Sequence, residues 1–113
     1  MPSVAELFSN LCRAAAVALA LWPCTALAID GEELLQNCEA QEAGRSIYCT
    51  GYVAGIADAA REKAMACPAD TASDSDLRNV ALKYLHEHPE SRQYGAARLV
   101  ALALAQAFPC SRP

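Results

Sequence analysis

Two cysteines, Cys49 and Cys67, close the two ends of the run CTGYVAGIADAAREKAMAC, and that run limits how the chain can be cross-linked. Cys49, Tyr52, Val53, Ile56, Ala60, Ala64 and Cys67 recur at steps of three or four residues, the period of one helix face. A helix makes one turn in about 3.6 residues and rises about 1.5 Å per residue, so the two sulfurs share a face yet stand roughly 27 Å apart. A disulfide needs Cα atoms within about 7 Å. These two cysteines therefore cannot bond to each other, and each needs a partner elsewhere.

Which partners exist depends on how much of the chain persists. The chain has 113 residues and 6 Cys, enough for one domain. Its N-terminus, MPSVAELFSNLCRAAAVALALWPCTALAID, carries Arg13, an uncharged run and the ending Ala26-Leu27-Ala28. A basic residue, a short apolar core and an A-x-A site make a secretory signal. The apolar run is shorter than the about 20 residues that a membrane span requires. Cys24 follows Leu21-Trp22-Pro23, too bulky and rigid for a lipoprotein site. Residues 1–28 are expected to be a signal peptide cleaved after Ala28, and residues 29–113 one helical domain. No membrane association is expected after cleavage.

Cleavage removes Cys12 and Cys24 and leaves Cys38, Cys49, Cys67 and Cys110. An exported chain meets an oxidising compartment, and a small core gains from covalent staples. The spacing holds no C-x-x-C pair, which argues against zinc. Two disulfides are expected. Of the two connectivities left open, Cys38–Cys49 with Cys67–Cys110 fits better. A short hairpin sets the end of one helix beside the start of the next, bringing Cys38 to Cys49. Cys67-Pro68 and Pro109-Cys110 each mark a helix end. The alternative, Cys38–Cys67 with Cys49–Cys110, would stretch the first connection along a whole helix.

The domain reads as four helices, with a fifth admissible. The first is capped by Asp30 with Glu33 three residues on, and turns its Leu34, Leu35 and Cys38 inward. Gly44 marks the turn after it. The second covers residues 46–66, with Ser46 as cap and Pro68 as stop. Gly51 and Gly55 lie one turn apart on it and cost about 1 kcal/mol each relative to alanine. Close approach of a neighbouring helix is the expected compensation. The third is capped by Asp74 or Ser75 and ends before Pro89. The fourth starts at Pro89 and stops at Pro109. Its stretch LVALALAQAF is apolar on nearly every side, which suits a central helix or a dimer interface. The expected fold is an all-α, small, disulfide-stapled domain.

The chemistry is sparse. The net charge is −4 and the basic residues are scattered, so nucleic acid is not an expected partner. His86 and His88 flank Glu87 but point in different directions on a helix, and no H-E-x-x-H is present. Asp58 lacks a second acid or base beside it and reads as structural. No G-x-S-x-G elbow and no phosphate-binding glycine loop occur. No catalytic residue, metal or cofactor is expected, and the residues point to a helical binding module rather than an enzyme.

Taken together, C-T-G-Y-V-A-G-I-A-D-A at Cys49–Ala59, C-P at Cys67-Pro68, Y-L-x-x-H-P-E at Tyr84–Glu90 and the run ending F-P-C at Cys110 resemble the Rap/Tai family, periplasmic immunity proteins of bacterial type VI secretion. The resemblance spans about Leu34 to Cys110. It implies a small periplasmic helical homodimer that blocks the cleft of a peptidoglycan amidase effector, a cysteine peptidase acting on cell-wall peptides. Gly51, Tyr52, Gly55, Asp58, Pro89 and Phe108, with the four cysteines, would form the scaffold. Partner contacts are then expected from the loop 68–75, through Asp70 and Asp74, and from the corner 86–92, through His86, His88 and Glu90. The apolar face 99–108 is the expected dimer surface. The alternative is a periplasmic acid-stress chaperone, whose fold is similar, or an uncharacterised helical binding protein. Two histidines and a moderate acid content offer no strong acid trigger for the chaperone.

Overall fold

Asp30 starts the domain. The computed structural model describes residues 3–21 and 28–111. In it the Asp30 carboxylate accepts the Glu33 N–H at 2.8 Å and caps α2 (Gly31–Glu39). A turn of three residues leads into α3 (Ala43–Glu62), and the loop 63–73 leads into α4 (Asp74–Glu87). A 3-10 turn at Pro89–Ser91 precedes α5 (Ala96–Ala107). The segment before the domain is α1 (Val4–Leu21). Among the described residues, strand pairing is confined to one isolated bridge between Asp30 and Gly95, so the domain is all-α.

Each of the four domain helices turns one apolar face inward, as side chains at three- and four-residue steps must. Leu34, Leu35, Val53, Leu77, Leu85, Leu99, Val100 and Leu104 build a single core together with the sulfurs of Cys38 and Cys49. The bonds are Cys38–Cys49 and Cys67–Cys110, with Cα atoms 5.0 and 4.9 Å apart. No described residue of α1 belongs to the core. Ala26, Leu27 and Cys24 of the expected cleavage region lie outside the described residues.

Several boundaries differ from expectation, each for a local reason. Gly44 and Ser46 lie inside α3 rather than before it, and Glu42 at the N-cap makes no side-chain hydrogen bond. At the other end α3 stops at Glu62. Ala64 takes a left-handed φ of 52°, and the Met65 N–H closes onto the Ala60 carbonyl at 2.9 Å. That wrap normally uses glycine, so an alanine gives no signal of it. Cys67 therefore lies beyond the helix. The part of α3 after Cys49 still spans about 20 Å, which keeps Cys49 and Cys67 apart.

The cap of α4 is Ser73, not Asp74 or Ser75. Its hydroxyl accepts the Asp76 N–H at 3.1 Å while the Asp76 carboxylate accepts the Ser73 N–H at 2.9 Å. The Ser73 backbone N–H, and after it the Ser73 hydroxyl, hold the Asp76 carboxyl below its ordinary value of 3.8. Pro89 does not start the last helix. Residues 92–95 are pulled aside to bond the first turn of α2. Gly31 N–H donates to the Tyr94 carbonyl, Glu32 N–H to that of Arg92, and Ala96 N–H to that of Ile29, all at 3.0 Å.

The glycines that allow close approach are also not the expected ones. A Cβ on Gly51 or Gly55 would meet nothing within 4 Å, because their face of α3 is exposed. Gly31 is the crowded position. A Cβ there would lie 3.1 Å from both the Cα and the carbonyl oxygen of Arg92 and would press on Leu99.

Candidate functional site

Loop 63–73 and corner 88–95 flank α4 at its two ends, about 20 Å apart for a helix of this length. The expected contact residues thus form two separate groups, Asp70 and Asp74 at the loop end and His86, His88 and Glu90 at the corner end. A single small footprint cannot use both equally.

At the loop end, Asp70 and Asp74 are exposed, and Met65 near the start of the loop is also open to solvent. Ala66 and Pro68 are buried and anchor the loop from beneath. The Cys67 N–H donates to the Phe108 carbonyl at 2.8 Å, and the Cys67–Cys110 bond joins the same two strands of chain covalently. The result is a loop bearing Asp70 and one flexible apolar side chain, displayed from a cross-linked base next to Asp74 in the first turn of α4.

At the corner end, the histidines are engaged within the domain. His86 Nε2 lies 2.7 Å from the Glu39 carboxylate of α2. His88 stacks on Tyr84 with ring centroids 4.0 Å apart, and its Nδ1 meets the Tyr84 carbonyl at 2.8 Å, which requires that nitrogen to carry the proton. Arg92, missed in the sequence reading, organises this end. Its guanidinium donates to the Leu85 carbonyl at 2.7 Å and the His86 carbonyl at 3.4 Å, and lies 3.7 Å from Glu32. It caps the open carbonyls of α4 and ties that helix end to α2. Arg78 does the same for α2 by donating to the Cys38 carbonyl. Glu90 is exposed. No spacing rule pairs an arginine with a helix end that the fold brings to it, which is why neither residue was expected.

The third surface is the outer face of α3. Ile47 is 70 % exposed, and Tyr48, Gly51 and Gly55 lie in the open beside it. Tyr48 and Tyr52 rings sit 5.9 Å apart. Burial, helped by the Tyr48 phenol, raises the Tyr52 hydroxyl above its ordinary value of 10.0, against a contribution from the Ala97 backbone. Asp58 pairs with Arg61 one turn on, at 3.3 Å on the surface. The apolar face 99–108, expected to be a dimer surface, is largely spent on the core. Leu99, Val100, Ala103 and Leu104 are buried, and Leu102 is 40 % exposed.

Among the described residues, no three His, Cys, Asp or Glu side chains gather where a metal ion could be held. The surface depressions are shallow, one of about 250 Å³ lying between Tyr84, Lys83 and Gln106. No helix among the described residues is long and apolar enough to cross a membrane. A family model described as Rap1a immunity proteins matches residues 30–110. No curated protein matches the chain.

Proposed function

The chain belongs to the Rap1a immunity protein family, and from that premise we propose that it is a periplasmic antidote that binds and blocks a type VI secretion peptidoglycan amidase effector. The observation that carries this reading is the family match over the whole stapled domain. The geometry supports it with a cross-linked base that displays two exposed carboxylates, Asp70 on the loop and Asp74 in the first turn of α4. Such a loop can enter a cleft made for wall peptides, which themselves carry carboxylates. Rigid display keeps the ordering cost of binding low. The protein acts by occlusion and needs no catalytic residue of its own.

In this reading residues 1–28 export the chain and are removed, leaving residues 29–113. The family match begins at residue 30, and the core takes nothing from the described part of α1. The domain pairs with a second copy through the outer face of α3, where Ile47 and Tyr48 are exposed, rather than through α5. An Ile47→Glu variant that stays folded and runs at half the mass in light scattering would support that pairing. An unchanged mass would move it elsewhere. The chaperone alternative has less support, because among the described residues no carboxylate or histidine is buried where protonation would open the core.

Co-expression tests the function. The product of the neighbouring gene is directed to the periplasm with and without this protein, and culture density is followed. Lysis prevented by the full-length chain, and not by a version lacking residues 1–28, supports periplasmic immunity. Lysis that the full-length chain fails to prevent overturns it.

A further inference from the structure

The two disulfides meet solvent differently. Cys38 and Cys49 are 2 % and 0 % exposed and belong to the core. Cys67 is exposed, Cys110 is only partly covered, and neither belongs to the core. A reductant can reach the second bond in the native fold, whereas the first is reachable only when the core opens. Beside the exposed bond, the chain crossing is held by a single backbone hydrogen bond, Cys67 N–H to Phe108 carbonyl. The loop that follows α3 also begins with Ala64 in a left-handed conformation that alanine disfavours.

We propose that Cys67–Cys110 is a thiol–disulfide exchange site, and that a dithiol reductant opening it loosens the loop 63–73. A thiolate of the dithiol attacks the Cys67 sulfur, the S–S bond breaks, and Cys110 leaves as a thiolate that takes up a proton. The second thiol of the reductant then attacks the mixed disulfide and releases Cys67. Two electrons pass from the dithiol to the protein, and the dithiol ends as a disulfide. Ala66 and Pro68 stay buried beneath the loop and the Ser73–Asp76 cap stays intact, so the change is a local loosening. Resting on the immunity reading above, this places the loop that carries Asp70 under redox control.

The test uses the oxidised full-length protein without denaturant. Graded dithiothreitol is applied, free thiols are alkylated, and the modified cysteines are mapped by mass spectrometry. Cys67 and Cys110 are expected to be alkylated at roughly tenfold lower reductant than Cys38 and Cys49. Amide exchange should rise across 63–73 in that form while α2 and the first half of α3 stay protected. Reduction of both bonds together, or of Cys38–Cys49 first, overturns the proposal, as does an unchanged loop once the bond is open. A Cys67→Ser/Cys110→Ser variant supplies the same exchange map without reductant. Titrating the product of the neighbouring gene against both redox forms separates the two readings. Binding by neither form overturns the immunity assignment, while the alkylation order still decides the exchange site. Weaker binding by the reduced form supports redox control, and equal binding overturns it.

Discussion

The two ends of α4 are held by different means. The corner end is stitched by hydrogen bonds, with Arg92 on the carbonyls of Leu85 and His86 and three backbone bonds between residues 92–96 and the start of α2. The loop end is closed by a covalent bond at the surface, with one backbone hydrogen bond beside it. A stitched end fails gradually as single bonds are lost. A stapled end stays shut until its one bond is broken, and then loosens in a single step. The end meant to stay fixed is the stitched one, and the end that displays the loop is the stapled one.

The largest effect should come from cutting the staple. Cys67–Cys110 spans a sequence separation of 43, and Cys38–Cys49 one of 11. Loop-closure entropy assigns about 4 kcal/mol to the longer ring and about 3 kcal/mol to the shorter. Urea unfolding of Cys67→Ser/Cys110→Ser against Cys38→Ala/Cys49→Ala reads the order. A larger loss in the buried pair would show that core contact, not ring size, sets the hierarchy. Next is Arg92→Met, which leaves two carbonyls of α4 without their donor and should cost about 2 kcal/mol. If the corner is stitched by many bonds, amide exchange should quicken at residues 85–95 and leave 63–73 unchanged. Gly31→Ala forces the Arg92 backbone and Leu99 to move and should cost about 1–2 kcal/mol by the same measurement.

The two smallest effects lie at the loop end. Ala64→Gly relieves the left-handed strain at φ 52° and should add about 0.5–1 kcal/mol after the entropy that glycine brings to the unfolded chain. A thermal melt showing a loss instead would mean that the loop conformation is chosen elsewhere. The Asp76 carboxyl is held below its ordinary 3.8 in the fold. Its contribution is therefore complete above that value and disappears as the pH falls through the lower folded value. Exchange at the first turn of α4 should quicken in that acid range, and an Asp76→Asn variant should flatten the response.

Local signals carried the reading of the sequence a long way. Asp30 capped where its spacing to Glu33 required, and the periodic leucines met in one core. Proline and cysteine positions told which helix ends face each other. The misreadings share one cause, which is that distant contacts overrode a local preference. Pro89 can start a helix, but the backbone of residues 92–95 is worth more bonded to α2. Gly51 and Gly55 resemble close-packing glycines, yet only the assembled fold shows their face open and Gly31 crowded. Of the surfaces, the loop was legible from its turn residues. Arg92 was not, because its partners are carbonyls, which no sequence displays.

The arrangement of the staples also decides how the domain survives a protease. A single cut between Cys38 and Cys49, or between Cys67 and Cys110, leaves every fragment attached. The stretch from Thr50 to Ala66 is the one part between Cys38 and Cys110 where a cut would separate the halves, and α3 shields it as far as Glu62. Exposed Lys63 is the point left open. A trypsin nick after Arg92 should therefore vanish on a non-reducing gel, whereas a nick after Lys63 should show two bands with or without reductant.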